Sequence, residues 1–110
     1  MRKGLHDEDF LKKIGMHNLI LFALSSLEEK KKKADFEAIL KECFSLFPKI
    51  FCFSSISKWP DARKIDRPLR SLRSKKLIQS NDKGIFSLTK KGRNAVEIIV
   101  KKFSQKELGI

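Results

Sequence analysis

From Pro60 to Ile78 the chain reads PDARKIDRPLRSLRSKKLI, with seven Lys or Arg against two Asp. A guanidinium is planar, permanently charged and rich in N–H donors, so it pairs bidentately with a carboxylate, a phosphate or the O6/N7 edge of guanine. Lysine brings compact charge without that geometry. Spacing sorts these side chains. Ile65, Leu69 and Leu72 fall at i, i+4 and i+7, a narrow apolar stripe on a helix. At about 100° per residue, Arg63, Arg67, Arg70 and Ser74 point the opposite way, with Lys64 and Ser71 on one flank and Arg73 on the other. A helix anchored on one side and lined with arginines on the other suits a polyanion. The plain alternative is a solvated charged face, and Asp66, four residues before Arg70, is placed to pair with it there.

The charge is concentrated. Over 110 residues, 25 Lys and Arg stand against 13 Asp and Glu, a net charge of +12. Residues 1–57 carry +2, residues 58–76 carry +6 and residues 77–110 carry +4. Such a balance says little about fold but orders the partners, nucleic acid first and an anionic membrane second. Other chemistry is sparse. His6 and His17 are isolated, and there is no Gly-rich phosphate loop, carboxylate pair or nucleophile with a base beside it. No catalytic residue, metal or cofactor is expected, and the chain is not read as an enzyme. Cys43 and Cys52 lack zinc-site spacing and read as reduced, buried thiols of an intracellular protein, a structural disulfide being the minor alternative. The N-terminus is too charged for a signal peptide, and the longest apolar run, Leu19–Leu24, is far short of the ~20 residues that span a bilayer. The expectation is a cytoplasmic, nucleoid-associated protein without a membrane partner.

The elements that must hold the basic stretch follow from periodicity. Residues 1–12 read as a flexible N-terminal arm or a frayed helical turn. A first helix rises from about Ile14, with Ile20, Ala23, Leu24 and Leu27 on one stripe, and Glu28 and Glu29 placed to pair with Lys32 and Lys33. Asp35 caps a second helix carrying Phe36, Ile39, Leu40, Cys43, Phe44 and Phe47 as its core face, and Pro48 stops it. Ile50–Phe53 reads as a short buried strand or a packed loop. Trp59 is expected to pack at the core edge, with a face toward a partner as the alternative. The basic helix begins near Asp61 and is kinked by Pro68, or begins nearer Asp66 with Pro68 in its first turn. Leu77 and Ile78 open a strand, Asn81–Gly84 turns, and Ile85, Phe86 and Leu88 return. Thr89 caps a last helix with Ala95, Val96, Ile99, Val100 and Phe103 as its apolar face, and Gly92 in its first turn suggests close packing.

IDRPLRSLRSKKLI followed by NDKGIFSLTKKGRNAVEII resembles the winged helix-turn-helix superfamily: an Arg- and Leu-rich recognition helix, a step into a strand, a short wing turn, a strand ending in Leu-Thr, and Gly near the start of a helix. The resemblance implies an α+β, mostly α fold with three core helices, a two-stranded β-hairpin wing and a C-terminal helix, over residues 13–104, with 105–110 as a tail. It departs from that pattern in the long Pro48–Pro60 connection and in Pro68 within the recognition helix. It implies binding of double-stranded DNA by a transcriptional regulator or DNA-docking module. Arg63, Lys64, Arg67, Arg70, Ser71, Arg73 and Ser74 belong to the recognition helix in this reading. Lys58, Lys75 and Lys76 contact the backbone, and Asn81 and Lys83 sit at the wing tip. The alternative is a protein-interaction or dimerisation domain of the same superfamily without DNA readout; duplex RNA binding and a homodimer stay open.

Overall fold

The computed structural model describes residues 8–56 and 58–107. Gly15, at φ 96°, separates α1 (Glu8–Ile14) from α2 (Met16–Glu29), so the helix expected from about Ile14 begins at Met16. Of the arm expected over 1–12, residues 1–7 lie outside the described residues. The rest belongs to α1, which buries Leu11 and sets the Phe10 ring 5.7 Å from that of Phe103.

The apolar surface of α2 is broader than a stripe: Leu19, Ile20, Leu21, Ala23, Leu24 and Leu27 are all buried. Apolar residues so nearly all round a helix place it centrally, and α2 touches α1, α3, α5, β2 and α6. It ends at Glu29, and Lys31 takes a left-handed φ of 56°. The expected helical pairs of Glu28 and Glu29 with Lys32 and Lys33 therefore do not form. Glu28 instead accepts the N–H of Leu88 at 2.9 Å and the Arg93 guanidinium at 3.1 Å.

Asp35 caps α3 (Phe36–Leu46) as expected, its carboxylate accepting the Ala38 N–H at 2.8 Å. Ile39, Cys43 and Phe47 are fully buried, while Phe36, Leu40 and Phe44 are half-buried. Pro48 ends α3 but also opens α4 (Pro48–Phe51), where a missing N–H costs nothing in the first turn. A single helical turn thus takes Ile50 and Phe51 of the expected strand or loop, while Cys52 makes an isolated antiparallel bridge with Pro60 and Phe53 is not helical. Both cysteines are free thiols; Cys43 is buried as expected, but Cys52, on the loop after α4, is only half-buried.

The basic helix, α5 (Arg63–Ser74), starts five residues upstream of Pro68, so the proline lies inside it and cannot donate to the Lys64 carbonyl. At its end Lys76 turns left-handed at φ 62°, with Leu77 N–H bonded to Leu72 O and Lys76 N–H to Arg73 O, each at 3.0 Å. This closing motif swings the chain directly into β1 (Ile78–Ser80). The strand pairs antiparallel with β2 (Phe86–Leu88) in the register Ile78↔Leu88, Gln79↔Ser87, Ser80↔Phe86. On its other side, Phe86 N–H bonds to Ala34 O at 2.9 Å, tying the hairpin to the α2–α3 turn.

Thr89 joins three elements. Its hydroxyl shares a proton between the carbonyls of Lys76 (2.7 Å) and Leu77 (3.1 Å), and accepts the N–H of Gly92 at 3.1 Å, capping α6 (Lys90–Glu107). The helix extends past the domain end expected at 104. Val96, Ile99 and Phe103 are buried, whereas Val100 falls on the flank of that stripe and is exposed. Phe103 lies within 5.0–6.4 Å of the rings of Phe22, Phe10 and Phe47, so α6 locks α1, α2 and the end of α3 around one aromatic cluster. Among the described residues, six helices and one two-stranded hairpin ahead of the C-terminal helix make a mostly helical α+β domain.

Two substitutions test this packing. Gly→Ala in a helix ordinarily gains about 0.5–1 kcal/mol. At Gly92 a Cβ would stand 2.0 Å from the Leu77 carbonyl oxygen, a backbone atom. Gly92→Ala is therefore expected to destabilise by about 1–3 kcal/mol in urea unfolding, and a neutral or stabilising result would contradict the close approach. Glu42, on α3, is buried and accepts Ser26 Oγ at 2.6 Å and Lys30 Nζ at 2.8 Å from the end of α2. Burial pushes its pKa up, but the bonds from Lys30 and Ser26 and the charges of Lys30 and Lys32 outweigh it and hold the carboxyl below its ordinary value. A depressed folded-state pKa gives stability that is present above the unfolded value and lost as pH falls through the folded one. Glu42→Gln should therefore cost about 1–3 kcal/mol near pH 7, with the gap to wild type narrowing below about pH 4; a gap independent of pH would refute the assignment.

Candidate nucleic-acid interface

Ile65, Leu69 and Leu72 of α5 are at most 3% exposed. Their burial sets the rotation of the helix, and the outer face carries Arg63, Arg67, Arg70 and Ser74, all exposed. The four differ in what holds them. Asp61, buried just before the helix, accepts the Arg63 backbone N–H two residues on at 3.1 Å, while the N-cap position itself is Ala62 and supplies no side-chain bond. The same carboxylate takes the Arg63 guanidinium through Nε at 3.2 Å and Nη2 at 3.4 Å. The Arg63 side-chain bond, aided by its backbone N–H and the charges of Arg63 and Lys64, holds the Asp61 carboxyl below its ordinary value against the opposing effect of burial. That guanidinium also lies 5.5 Å from the centre of the Phe53 ring. Arg63 is thus a positioned cation with most of its side chain in solvent.

Arg70 pairs with Asp66 one turn back, as the spacing predicts, and 73% of its side chain stays exposed. Arg67 and Arg73 are exposed and make no ion pair or hydrogen bond among the described residues. Ser71 is half-buried; Ser74, Lys75, Lys76 and Lys58 are exposed. Lys64 turns inward: its ammonium donates to the carbonyls of Ile50 at 3.2 Å and Cys52 at 2.7 Å, clamping the end of α4. Spacing along α5 does not reveal this, because the acceptors lie 14 and 12 residues back in an irregular segment.

At the hairpin tip the Asn81 side-chain oxygen accepts the N–H groups of Lys83 and Ile85, both at 2.9 Å, and Gly84 takes φ 75°. Asn81 builds the turn with the oxygen it would otherwise present, while Lys83 is exposed. Two open depressions flank α5. One, of about 680 Å³, is lined by Phe36, Arg63, Lys64, Asp66 and Arg67 near the helix N-terminus. The other, of about 400 Å³, is lined by Arg73, Lys76, Ser80 and Thr89 where α5 meets the hairpin.

Two features escaped the sequence pattern. Lys90 and Lys91 sit beside Lys75 and Lys76: Lys91 Nζ donates to the Lys75 carbonyl at 3.3 Å, and Thr89 bonds the Lys76 carbonyl. Two cations in the first turn of α6 oppose the helix dipole, and that unfavourable placement straight after the Thr89 cap was the available signal. Trp59, expected to pack, is 58% exposed, held outward by a loop described below.

No protein-family model, curated protein or solved structure matches the chain. Among the described residues no helix is long and apolar enough to cross a membrane, and no group of His, Cys, Asp and Glu is arranged to hold a metal ion.

The clamp by Lys64 is testable apart from any ligand. Lys64→Met keeps the aliphatic stem and removes both hydrogen bonds. It is expected to lower stability by about 1–2 kcal/mol in urea unfolding, a loss that Lys75→Met does not share. Equal stability of the two variants would show that the ammonium holds nothing.

Proposed function

We propose that the chain is a winged helix-turn-helix module that binds double-stranded DNA, with α5 as the recognition helix and the β1–β2 hairpin as the wing, serving as a transcriptional regulator or a DNA-docking part of a larger system. The observation that carries this reading is Arg67: a guanidinium on the outer face of α5, in solvent, without a hydrogen bond or ion pair among the described residues, beside a depression broad enough for a polyanion. Arg70 joins it at little cost. An exposed i,i+4 pair is worth about 0–1 kcal/mol, so its guanidinium can exchange the Asp66 carboxylate for phosphate or a guanine edge. Arg63 adds charge at a fixed place. Arg73, Lys75, Lys76, Lys90, Lys91 and Lys83 serve the phosphates, which position the protein without reading sequence, and Lys58 does so near the helix N-terminus. Lys64 and the Asn81 oxygen act as scaffold in this assignment.

The alternative, a protein-interaction domain of the same fold, draws on Ile98 and Val100, which are 58% and 39% exposed on α6. Salt separates the two readings. With ~5 phosphates neutralised, log affinity for duplex DNA should fall against log salt with a slope of about −4.5. Arg67→Ala should cost about 1–3 kcal/mol and blur sequence preference, whereas Lys75→Ala weakens cognate and random duplex alike and reduces the slope by about one. A flat salt response, together with a stable oligomer indifferent to DNA, would discard the DNA reading in favour of the interaction domain.

A further inference from the structure

The connection between α4 and α5 is braced like a small hairpin. Asp61 N–H bonds to Phe51 O at 2.8 Å, Phe53 N–H to Trp59 O at 2.9 Å, and Cys52 and Pro60 form an antiparallel bridge. Lys64 holds the Ile50 and Cys52 carbonyls from below, and Arg63 covers Phe53 while bound to Asp61. The edge of one ring meets the other where Phe53 and Trp59 lie 6.4 Å apart. A single exposed apolar side chain signals nothing. Here Trp59 and Ile56 stand 58% and 41% in solvent on a loop whose backbone is tied on both strands, with half-buried Phe53 beneath. Trp59 and Ile56 are thus presented from a braced base.

Its surroundings select the occupant. Lys58 is exposed beside Trp59, and Arg63, which covers Phe53, lines the same depression as Arg67. The acid of the loop base, Asp61, is buried and paired. An aromatic face next to cations that track a phosphate backbone is the chemistry that stacks on a nucleobase. A membrane anchor would need a more continuous apolar tip than one flanked by Ser54, Ser55 and Lys58.

We propose that the loop between Phe51 and Asp61 is a stacking wedge for an unpaired nucleobase, with Trp59 as its platform, so that the protein favours DNA carrying a single-stranded gap over continuous duplex. This rests on the DNA-binding reading of α5 and adds to it a preference for a discontinuity. In a continuous duplex each base already stacks on its neighbours; at a gap a base is free to stack on the indole instead.

Trp59 is the only tryptophan and the chain has no tyrosine, so its emission reports the loop directly. Three probes are compared: a covalently closed relaxed DNA minicircle, the same circle with a short single-stranded gap, and vesicles of phosphatidylserine and phosphatidylcholine. The gapped circle should quench Trp59 and bind more tightly than the closed one. Trp59→Ala should weaken binding to the gapped circle about 5- to 150-fold, with Trp59→Phe retaining most of the affinity, and affinity for the closed circle should be preserved in both variants. Unquenched emission on the gapped circle, or equal losses on both circles, overturns the wedge. So does a blue shift on vesicles without quenching by DNA, which assigns the loop to a membrane. Arg67→Ala on the closed circle reads the duplex proposal alone: if that circle binds and responds to Arg67 while Trp59 stays silent on the gapped circle, the wedge fails and the recognition helix stands.

Discussion

Three side chains hold α5 in place, and the site depends on them. The helix is a poor one by itself: Pro68 in its interior costs about 3 kcal/mol, and Lys and Arg crowd its length. Burying Ile65, Leu69 and Leu72, at most 3% exposed, contributes roughly 1.5–3 kcal/mol each. Packing against α2 therefore outweighs local preference, and it fixes more than existence. With only one apolar stripe the helix has one rotation that buries it, and that rotation decides which arginines meet solvent.

The outer face was legible for this reason. Period alone separates Ile65, Leu69 and Leu72 from Arg63, Arg67 and Arg70, and the structure keeps that division. Local caps were legible too, because Asp35, Thr89 and the Asn81–Gly84 turn are complete within a few residues. What could not be read were contacts set by distant segments. Lys64 looks like any flank cation until α4 brings two carbonyls beneath it. Glu28 looks committed to Lys32 until Lys31 turns left-handed and ends the helix, leaving its carboxylate to Leu88 and Arg93 from the other end of the chain. α1 was read as no more than an arm or a frayed turn because seven residues hold too little periodicity to show a face, and its Leu11 and Phe10 find their partners only in the assembled core.

These non-local bonds give the candidate site its stiffness. α5 is closed at its C-terminus by Lys76, whose carbonyl is held by Thr89, which in turn caps α6. Gly92 lets α6 approach Leu77 more closely than any side chain would allow. At the other end Asp61 and Lys64 fix the loop to the first turn. Helix, hairpin and loop are thus referenced to one another through backbone atoms, and exposed side chains borne on backbone held in this way lose less freedom on meeting a ligand.

Asp66 supplies the last step. A surface selected only for charge would gain by losing it, since the carboxylate neutralises Arg70 and lines the same depression as Arg67. Near phosphates it repels, and in water its pairing with Arg70 is worth little. Under the proposed reading its value lies in discrimination. A carboxylate accepts from the amino group of cytosine and from no phosphate, so under the proposed reading it penalises indiscriminate docking on the DNA backbone while leaving base-edge contacts open. Specificity of this kind is a difference between affinities, and it is gained by a repulsive element as well as an attractive one. Asp66 also lies in the first turn of α5, where a carboxylate favours the helix dipole, so under the proposed reading one acid serves both the helix and its discrimination.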